Sequence, residues 1–381
     1  MDPLLRYARE QQKNIVAFIG ELVECESPSD DSASVNRLVN LTAAAVRDIA
    51  RVKTLPGGKF GKHLRCEFDL PGLPLQKKGQ ILALGHSDTV WPLGTLRSMP
   101  FRQSKGRLWG PGVFDMKGGL ALFIFAMRAL SDVDRPVTKK VVLQLNSDEE
   151  IGSPSSRPFT EEAAQQSEAV LVMEPAAGLD GKVKTARKGV GDYTVTVTGV
   201  PAHAGLDFEK GASAILEMAR QIEKIAGFTR LDRGITVSPG VIRGGTRSNV
   251  VAAECSVEID VRVPKAGDAR YLERQFASLK PFDKRCSVRV EGGLNRPPLE
   301  RTSASAKLFR KAQVLAAELG VDLDETAVGG GSDGNFTSAL GIPTLDGLGA
   351  VGDGAHAAHE SILVERIADR SALLAKLVSA L

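Results

Sequence analysis

Histidine and carboxylate side chains follow several apolar, strand-like segments of this sequence. His86 ends the run ILALGH and precedes Asp88 by two residues, and Glu149 and Glu150 follow the run VVLQLNS. Glu174 closes the run AVLVME. The carboxyl ends of parallel strands meet at one edge of an α/β sheet, and ligands bind at that edge. Because these residue types bind zinc, the pattern predicts a metal site there.

Each candidate also has a more ordinary interpretation when it is taken alone. Asp115, which precedes a helical pattern, is typical of an N-cap, and the consecutive acids of 148–150 are common in charged loops. His356 and His359 in GAHAAHE, and His203 in PAHAG, also fit surface turns. The combined set is more informative than its members, because several ligand types follow successive strands.

Glu149 and Glu150 can take different roles, because adjacent residues of an extended chain point to opposite sides. One can bind a metal ion while the other faces the substrate as a base. Five ligands with one shared carboxylate suit two Zn²⁺ ions, which polarise a carbonyl and lower the pKa of a water. The free glutamate then accepts the proton of that water. In His86-Ser-Asp88, the carboxylate can accept from the second ring nitrogen and fix the tautomer.

The order of the predicted elements places these residues in an α/β domain. Apolar runs that are typical of buried parallel strands alternate with helical patterns in the first half of the chain. From Lys188 the strands alternate polar and apolar residues in the order β-α-β-β-α-β, which is typical of a ferredoxin-like unit. The sequence predicts a catalytic domain of residues 1–187 and 299–381, with a mostly parallel sheet flanked by helices. Residues 188–298 form the predicted inserted α+β domain.

Composition and charge argue against several other classes of protein. The 381 residues include 49 Lys and Arg and 46 Asp and Glu, with no basic stripe that would indicate nucleic acid. The four cysteines form no CxxC pair and fit reduced thiols. No apolar run is long enough to span a membrane. Residues 3–24 are interpreted as one amphipathic helix rather than a signal peptide, so we expect a cytoplasmic protein with no membrane partner.

The motifs together resemble the di-zinc peptidase and acylase family, which includes carboxypeptidase G, acetylornithine deacetylase, succinyl-diaminopimelate desuccinylase and aminoacylase. The resemblance covers nearly the whole chain. The matching segments are GHSDTVWP (85–92), GPGVFDMKGG (110–119), NSDEEIGS (146–153), VMEP (172–175), VTGVPAHAG (197–205), RSNVV (247–251), GGGSDGN (329–335) and GDGAHAAHE (352–360).

The resemblance implies a ligand set for two Zn²⁺ ions per subunit, with Co²⁺ or Mn²⁺ as alternatives. His86 and Glu174 would bind one ion, and Glu150 and His356 would bind the other. Asp115 would bridge the two ions.

The family pattern also implies roles beside the metal ions. Asp88 would stand behind His86, and Glu149 would be the general base. The last family motif has a glutamate four residues after the ligand histidine, so Glu360 favours His356 over His359. The peptide bond between Asp115 and Met116 is expected to be cis, as in relatives.

The inserted domain would act as a lid and would mediate a homodimer. Its His203 would reach the active site of the partner and stabilise the oxyanion, with Asn249 as a second donor. Arg262 resembles the arginine that binds the free carboxylate of the substrate, a task that suits a guanidinium. Gly331 and Ser332 would donate to the same carboxylate.

For the substrate, a glutamate at the position of Glu174 is typical of the acylases and carboxypeptidases of the family. RKGVGDYTVTVTG, PAHAG and AVGGGSDGN look closest to the glutamate carboxypeptidase branch. The implied reaction is hydrolysis of the amide bond of N-acyl amino acids or peptides with a free C-terminal carboxylate, releasing glutamate.

Three alternatives have different sequence support. An N-acyl-amino-acid deacylase of the aminoacylase or acetylornithine deacetylase type stays open. A nucleotide-binding protein is disfavoured, because no Walker A lysine follows the glycine-rich loops. A metal-free binding protein is disfavoured, because every ligand and the base are present.

Overall fold

The computed structural model describes residues 1–72 and 79–381. The chain divides into two compact units. The first comprises Met1–Ala186, Arg301–Val328 and Ser332–Leu381, and the second comprises Arg187–Glu300 and Gly329–Gly331. The domain boundaries at residues 188 and 298 stay a prediction.

The strands and helices have the following bounds. The strands are β1 (Ala50–Pro56), β2 (Lys62–Phe68), β3 (Gln80–His86), β4 (Arg102–Ser104), β5 (Arg107–Trp109), β6 (Lys140–Asn146), β7 (Ala169–Val172), β8 (Val183–Arg187), β9 (Gly189–Thr198), β10 (Thr236–Gly244), β11 (Glu254–Val263), β12 (Ser287–Arg296), β13 (Glu325–Val328), β14 (Thr344–Leu345), β15 (Gly352–Asp353) and β16 (Ser361–Leu363). The helices are α1 (Pro3–Glu10), α2 (Gln12–Glu24), α3 (Ser32–Val46), α4 (Gly118–Asp132), α5 (Arg157–Gln165), α6 (Ala214–Ala226), α7 (Ala266–Ala277), α8 (Ser303–Ala317), α9 (Gly334–Ala339) and α10 (Ile367–Ala380).

The first unit contains a mixed sheet in the order β1-β2-β6-β3-β7-β14. Strands β6, β3, β7 and β14 are parallel, and the antiparallel pair of β1 and β2 extends the sheet beyond β6. The side chains of β3 from Ile81 to Leu84 are buried on both faces of the sheet. The predicted α/β class with a sheet flanked by helices is therefore confirmed.

Helices cover both faces of this sheet. The larger apolar cluster includes buried residues of α1, α2, α4 and α10, and a smaller cluster on the other face joins Val142 and Val170 to Ala163 and Ala164 of α5. Helix α4 begins close to the end of β7, because a Cβ on Gly119 would lie 2.1 Å from the carbonyl oxygen of Met173. That close approach requires glycine.

The second unit has the predicted order β9-α6-β10-β11-α7-β12. Its strands form an antiparallel sheet in the order β10-β11-β9-β12, which is the ferredoxin-like arrangement. The apolar residues of β9 and β11 alternate with polar ones, and Tyr193 of β9 stacks on Phe276 of α7 at 3.9 Å between ring centroids. This unit therefore has its own core.

Two predicted helices differ from the structure. The single helix expected over 3–24 is divided at Gln11 into α1 and α2. Both helices pack against α4, and α1 also packs extensively against α10. The sequence also predicts a C-terminal helix over 362–380, but that helix begins at Ile367, because residues 361–363 pair with β5 as β16.

Within residues 1–72 and 79–381, no helix is both long and apolar enough to cross a membrane.

Candidate metal centre

The parallel strands bring the predicted ligands to one edge of the sheet. His86 is the last residue of β3 and lies beside Asn146, the last residue of β6. Glu149 and Glu150 follow β6 in the next turn, and Glu174 lies two residues beyond β7. All of these residues belong to the first unit.

Asp115 lies between two histidines. Its Oδ1 is 3.1 Å from Nε2 of His86, and its Oδ2 is 3.4 Å from Nε2 of His356. His86 Nε2 is also 3.6 Å from Glu174 Oε1, and His356 Nε2 is 3.3 Å from Glu150 Oε2. The carboxylate of Asp115 thus has one oxygen toward each of two ligand pairs, which is the geometry of a bridging ligand.

Two overlapping groups of ligand atoms lie close enough to hold a metal ion. His86, Asp115 and Glu150 form one group, and His86, Glu149 and Glu174 form the other, with the atoms of each group within 4.8 Å of one another. The second group includes Glu149, for which the family resemblance predicts the role of general base. Its side chain therefore lies beside the predicted metal site, whether it acts as a ligand or as the base.

The electrostatics of the cluster favour a cation. Burial raises the pKa of Glu150, and its Oε1 is buried without a hydrogen-bond partner among the described residues. Hydrogen bonds with Asp115 and Glu150 raise the pKa of His356 to about 10. Burial lowers the pKa of His86, but its hydrogen bonds with Asp115 and Asp88 outweigh burial and raise it well above the usual range. Without metal, protons on the two histidines therefore balance the negative charge of the carboxylates. Bound divalent ions would balance the same charge in their place.

The tautomer of His86 is set by a main-chain group. Its Nδ1 lies 2.9 Å from the carbonyl oxygen of Asp88, so Nδ1 donates to that oxygen. The second nitrogen, Nε2, faces Asp115 and Glu174, and loss of its proton would leave a lone pair for a metal ion. The His-Ser-Asp motif predicts the Asp88 carboxylate in this role. That carboxylate lies farther away, with Oδ1 at 3.5 Å from Nδ1.

The carboxylate of Asp88 instead holds the turn that carries the two glutamates. Oδ1 accepts from the backbone N–H of Glu149 at 3.1 Å, and Oδ2 accepts from the N–H of Glu150 at 3.1 Å. The hydroxyl of Ser29 donates to Oδ2 at 2.8 Å. Since the side chain is buried, these contacts fix the turn relative to β3.

Sequence reasoning assigned no role to His63, which the structure places under the same turn. The N–H of Ser147 donates to His63 Nδ1 at 3.2 Å, so the proton of the neutral ring is on Nε2, 3.1 Å from Ser155 Oγ. Burial lowers the pKa of His63 and favours this neutral form. Ser155 Oγ in turn donates to Asp148 Oδ2 at 2.6 Å. No local motif indicates this chain of contacts, because its members come from separate strands and turns.

The loop that carries Asp115 contains the expected cis peptide bond between Asp115 and Met116, so that prediction is confirmed. Its backbone N–H groups are bound by the buried carboxylate of Glu360. Sequence reasoning used Glu360 only to choose His356 as the ligand.

The predicted oxyanion donors lie in the second unit. His203 Nδ1 accepts from the N–H groups of Gly205 and Leu206 at 3.1 Å each, so the ring proton is on Nε2. The N–H of Ala204 donates to the carbonyl oxygen of Asn249 at 3.0 Å, and both predicted residues are exposed. The fold of this unit therefore brings His203 and Asn249 to adjacent segments.

The predicted carboxylate-binding residues have internal partners. Arg262, on β11, donates through Nη2 to Asp260 Oδ2 at 2.7 Å. Gly331 belongs to the second unit, and its carbonyl oxygen accepts from Arg187 at 3.2 Å. Ser332 belongs to the first unit, where its hydroxyl donates to Asp346 and its N–H donates to Asn335. Substrate contacts of these residues stay predictions.

The family follows from a comparison with known protein families. Residues 82–380, which include every predicted ligand, match the model of peptidase family M20/M25/M40. The chain belongs to this family. It is therefore an M20-family hydrolase, and the resemblance inferred from its motifs is confirmed.

Named relatives and solved structures agree with that assignment. The M20 chain is 26% identical over 359 residues to carboxypeptidase G2 of Pseudomonas sp. (strain RS-16), covering 93% of this chain and 85% of the relative. It is 27% identical over 320 residues to succinyl-diaminopimelate desuccinylase of Stenotrophomonas maltophilia (strain R551-3), covering 79% and 84%.

Two solved structures share the fold. Aminopeptidase PepT from Bacillus cereus has a TM-score of 0.78 at 21% identity, with 97% of this chain and 98% of that chain covered. The Bacillus subtilis YXEP protein, a dinuclear metal-binding M20 peptidase, has a TM-score of 0.69 at 14% identity, with 98% of each chain covered.

Proposed function

We propose that this M20-family protein is a di-zinc hydrolase that cleaves the amide bond of N-acyl amino acids or peptides with a free C-terminal carboxylate and releases glutamate. The position of Asp115 carries the proposal, since its two carboxylate oxygens face His86 and His356 separately. A shared carboxylate between two ligand pairs is what a two-metal hydrolytic site requires.

The donor set fits two zinc ions. His86 and Glu174 would hold one ion, Glu150 and His356 would hold the other, and Asp115 would bridge them. The partnerless, buried Glu150 Oε1 supports this assignment, since an ion would satisfy it. The Bacillus subtilis YXEP protein, which has the same fold, is described as a dinuclear metal-binding peptidase. Bound zinc would supply Lewis-acid polarisation of the scissile carbonyl and would lower the pKa of the attacking water.

Glu149 then acts as the general base in this proposal. It takes the proton of the water that attacks the amide carbon and passes it to the nitrogen of the leaving amine as the C–N bond breaks, so Glu149 returns to its carboxylate form. The two hydrogen bonds that Asp88 accepts from the backbone N–H groups of Glu149 and Glu150 support this role, because they hold the predicted base and a predicted ligand in one turn.

The second unit would supply the groups that bind the substrate. The tautomer of His203 leaves Nε2–H free to donate to the developing oxyanion, with Asn249 as a second donor. Arg262 would bind the substrate carboxylate, together with Gly331 and Ser332. A homodimer through the inserted domain would bring His203 to the active site of the partner.

Glutamate as the released residue is supported by the motifs of the glutamate carboxypeptidase branch and by the alignment with carboxypeptidase G2 over 93% of this chain. The similarity to succinyl-diaminopimelate desuccinylase favours a second candidate, an N-acyl-amino-acid deacylase that accepts small acyl groups.

The test is the mass-spectrometric detection of amino acids that zinc-loaded protein releases from a panel of dipeptides, acetyl amino acids and aroyl amino acids. Glu149→Ala is the control that should release none. We expect release from aroyl-glutamate and from peptides ending in glutamate. Release confined to acetylated neutral amino acids would contradict the glutamate assignment and favour the deacylase.

A further inference from the structure

Glu360 is a fully buried carboxylate that no predicted role accounts for. Its relative exposure is 0%, and both of its oxygens accept hydrogen bonds. Oε1 accepts from the N–H groups of Phe114 and Asp115 at 2.9 and 3.0 Å. Oε2 accepts from the N–H of Gly112 at 2.8 Å and from the indole Nε1 of Trp91 at 2.8 Å.

These contacts connect three segments that carry predicted ligands. Asp115 belongs to the segment whose backbone donates to Glu360, and His356 precedes Glu360 by four residues in its own segment. Trp91 lies five residues after His86. Each segment is otherwise a loop, and a loop needs such cross-links to hold a ligand in place.

The backbone around Glu360 is itself anchored. Strand β16 begins at the next residue and pairs with β5, with Ser361 beside Trp109. The chain then runs from β5 directly into the loop of Asp115. The carboxylate of Glu360 therefore connects the loop that carries His356 to the loop that carries Asp115. The pairing of β16 with β5, rather than the ligands, sets the position of Glu360.

We propose that Glu360 is a positioning residue of the metal centre, which fixes Asp115 relative to His86 and His356 so that one carboxylate can serve two ions. This inference rests on the proposed di-zinc site. In this role Glu360 acts through the backbone N–H groups of residues 112–115 rather than as a ligand.

The substitution Glu360→Gln tests this with almost no change of volume. The amide group replaces one acceptor oxygen with an N–H₂ group. At either oxygen position that group faces two N–H donors, so two bonds are lost and the charge is removed. The loop of Asp115 must then move or leave N–H groups buried without partners.

The chain offers a matched control in Glu217 of α6. Its side chain is 2% exposed and accepts from the backbone N–H groups of Phe282 and Asp283 at 2.9 and 3.0 Å, and from Gln221. None of these residues belongs to a predicted ligand segment. Glu217→Gln therefore removes a similar buried acceptor from the second unit without touching the metal centre.

The experiment measures zinc affinity by competition with a chromophoric chelator, together with the visible spectrum of the cobalt-substituted proteins. We expect Glu360→Gln to weaken zinc binding about 10–100-fold and to change the cobalt spectrum, because the loop that carries Asp115 loses hydrogen bonds that hold it in place. Glu217→Gln should leave zinc affinity within about twofold. With zinc saturating, Glu360→Gln should lower kcat and leave KM nearly unchanged.

The outcomes separate this inference from the proposed function. Wild-type zinc affinity and spectrum in Glu360→Gln, with the wild type itself binding zinc, would overturn the positioning role alone. Equal losses in both variants would also overturn it, since a general loss of stability would then explain the effect. If the wild type binds no zinc, both the inference and the proposed function fail.

Discussion

Asp88→Asn separates the roles of charge and shape beside the metal centre. The buried carboxylate accepts from the N–H groups of Glu149 and Glu150, and from the hydroxyl of Ser29. Asparagine keeps the volume but replaces one oxygen with a donor. If the new N–H₂ group takes the position of Oδ1, it faces the N–H of Glu149. If it takes the position of Oδ2, it faces the N–H of Glu150. Either way, one backbone donor of the turn loses its acceptor.

The magnitude follows from those contacts. A hydrogen bond to a charged group contributes about 1.5–3 kcal/mol, and a buried donor left without an acceptor costs a similar amount. The loss of one hydrogen bond and the weakening of the others destabilise the turn by about 3 kcal/mol in total. Each 1.4 kcal/mol of binding free energy is a factor of about ten in affinity. If the whole loss appears in the free energy of zinc binding, zinc affinity falls about 100-fold.

The assay is zinc affinity by chelator competition at neutral pH, with kcat/KM on the best substrate of the panel. Ser29→Ala is the graded control, because it removes only the 2.8 Å hydroxyl contact and keeps both backbone bonds. We expect a loss of less than about threefold for this variant. Zinc affinity and kcat/KM within twofold of wild type in Asp88→Asn would refute the reasoning, since the turn would then not depend on the carboxylate.

Further predictions address the base, the ligands and the second unit. Glu149→Gln should lower kcat by about 10²–10⁴ while zinc content stays unchanged, and the loss of one zinc equivalent would make Glu149 a ligand instead. Zinc binding should release protons, because Asp115 and Glu150 raise the pKa of His356 to about 10 and the ion needs the neutral ring. Calorimetry in buffers of different ionisation enthalpy measures that release, and buffer-independent heats would contradict it. The same raised pKa of His356 stabilises the metal-free fold. This stabilisation is complete below pH 6.5, the usual pKa of histidine, and is lost as the pH rises through about 10. His203→Ala, and any variant that is an obligate monomer, should lose activity but keep zinc. A fully active monomer would show that His203 does not act across a dimer.

The edge that gathers the candidate ligands could be predicted from the sequence because its signal is local. Strands β3, β6 and β7 are nearly continuous apolar runs, so they indicate buried parallel strands, and the residue types that follow each run are conspicuous. Parallel pairing then places His86, Glu149 and Glu174 at one edge without further information. The same reasoning located the antiparallel unit, where period-two alternation marks β9 and β11.

The supporting contacts could not be predicted, because they join residues that are far apart in the chain. Glu360 binds N–H groups about 245 residues earlier. His63 reaches Ser155 across 92 residues. A buried glutamate and a strand histidine look like ordinary loop and surface residues until the fold places donors around them.

Some secondary structure was missed for a different reason. Strand β1 has mostly exposed or half-buried side chains, so its sequence ARVKTLP shows neither an apolar run nor a clear alternation. Its strand conformation depends on pairing with β2. The short strands β4 and β5 likewise depend on tertiary pairing, which outweighs local propensity.

The number of zinc ions bound per chain tests the central claim most directly. The purified protein is stripped with a chelator, dialysed to equilibrium against excess free zinc, and analysed by inductively coupled plasma mass spectrometry. The account predicts two equivalents for the wild type and fewer than two for Asp115→Ala, because Asp115 faces both ligand pairs. One equivalent or none in the wild type, or two in Asp115→Ala, would contradict the shared-carboxylate site.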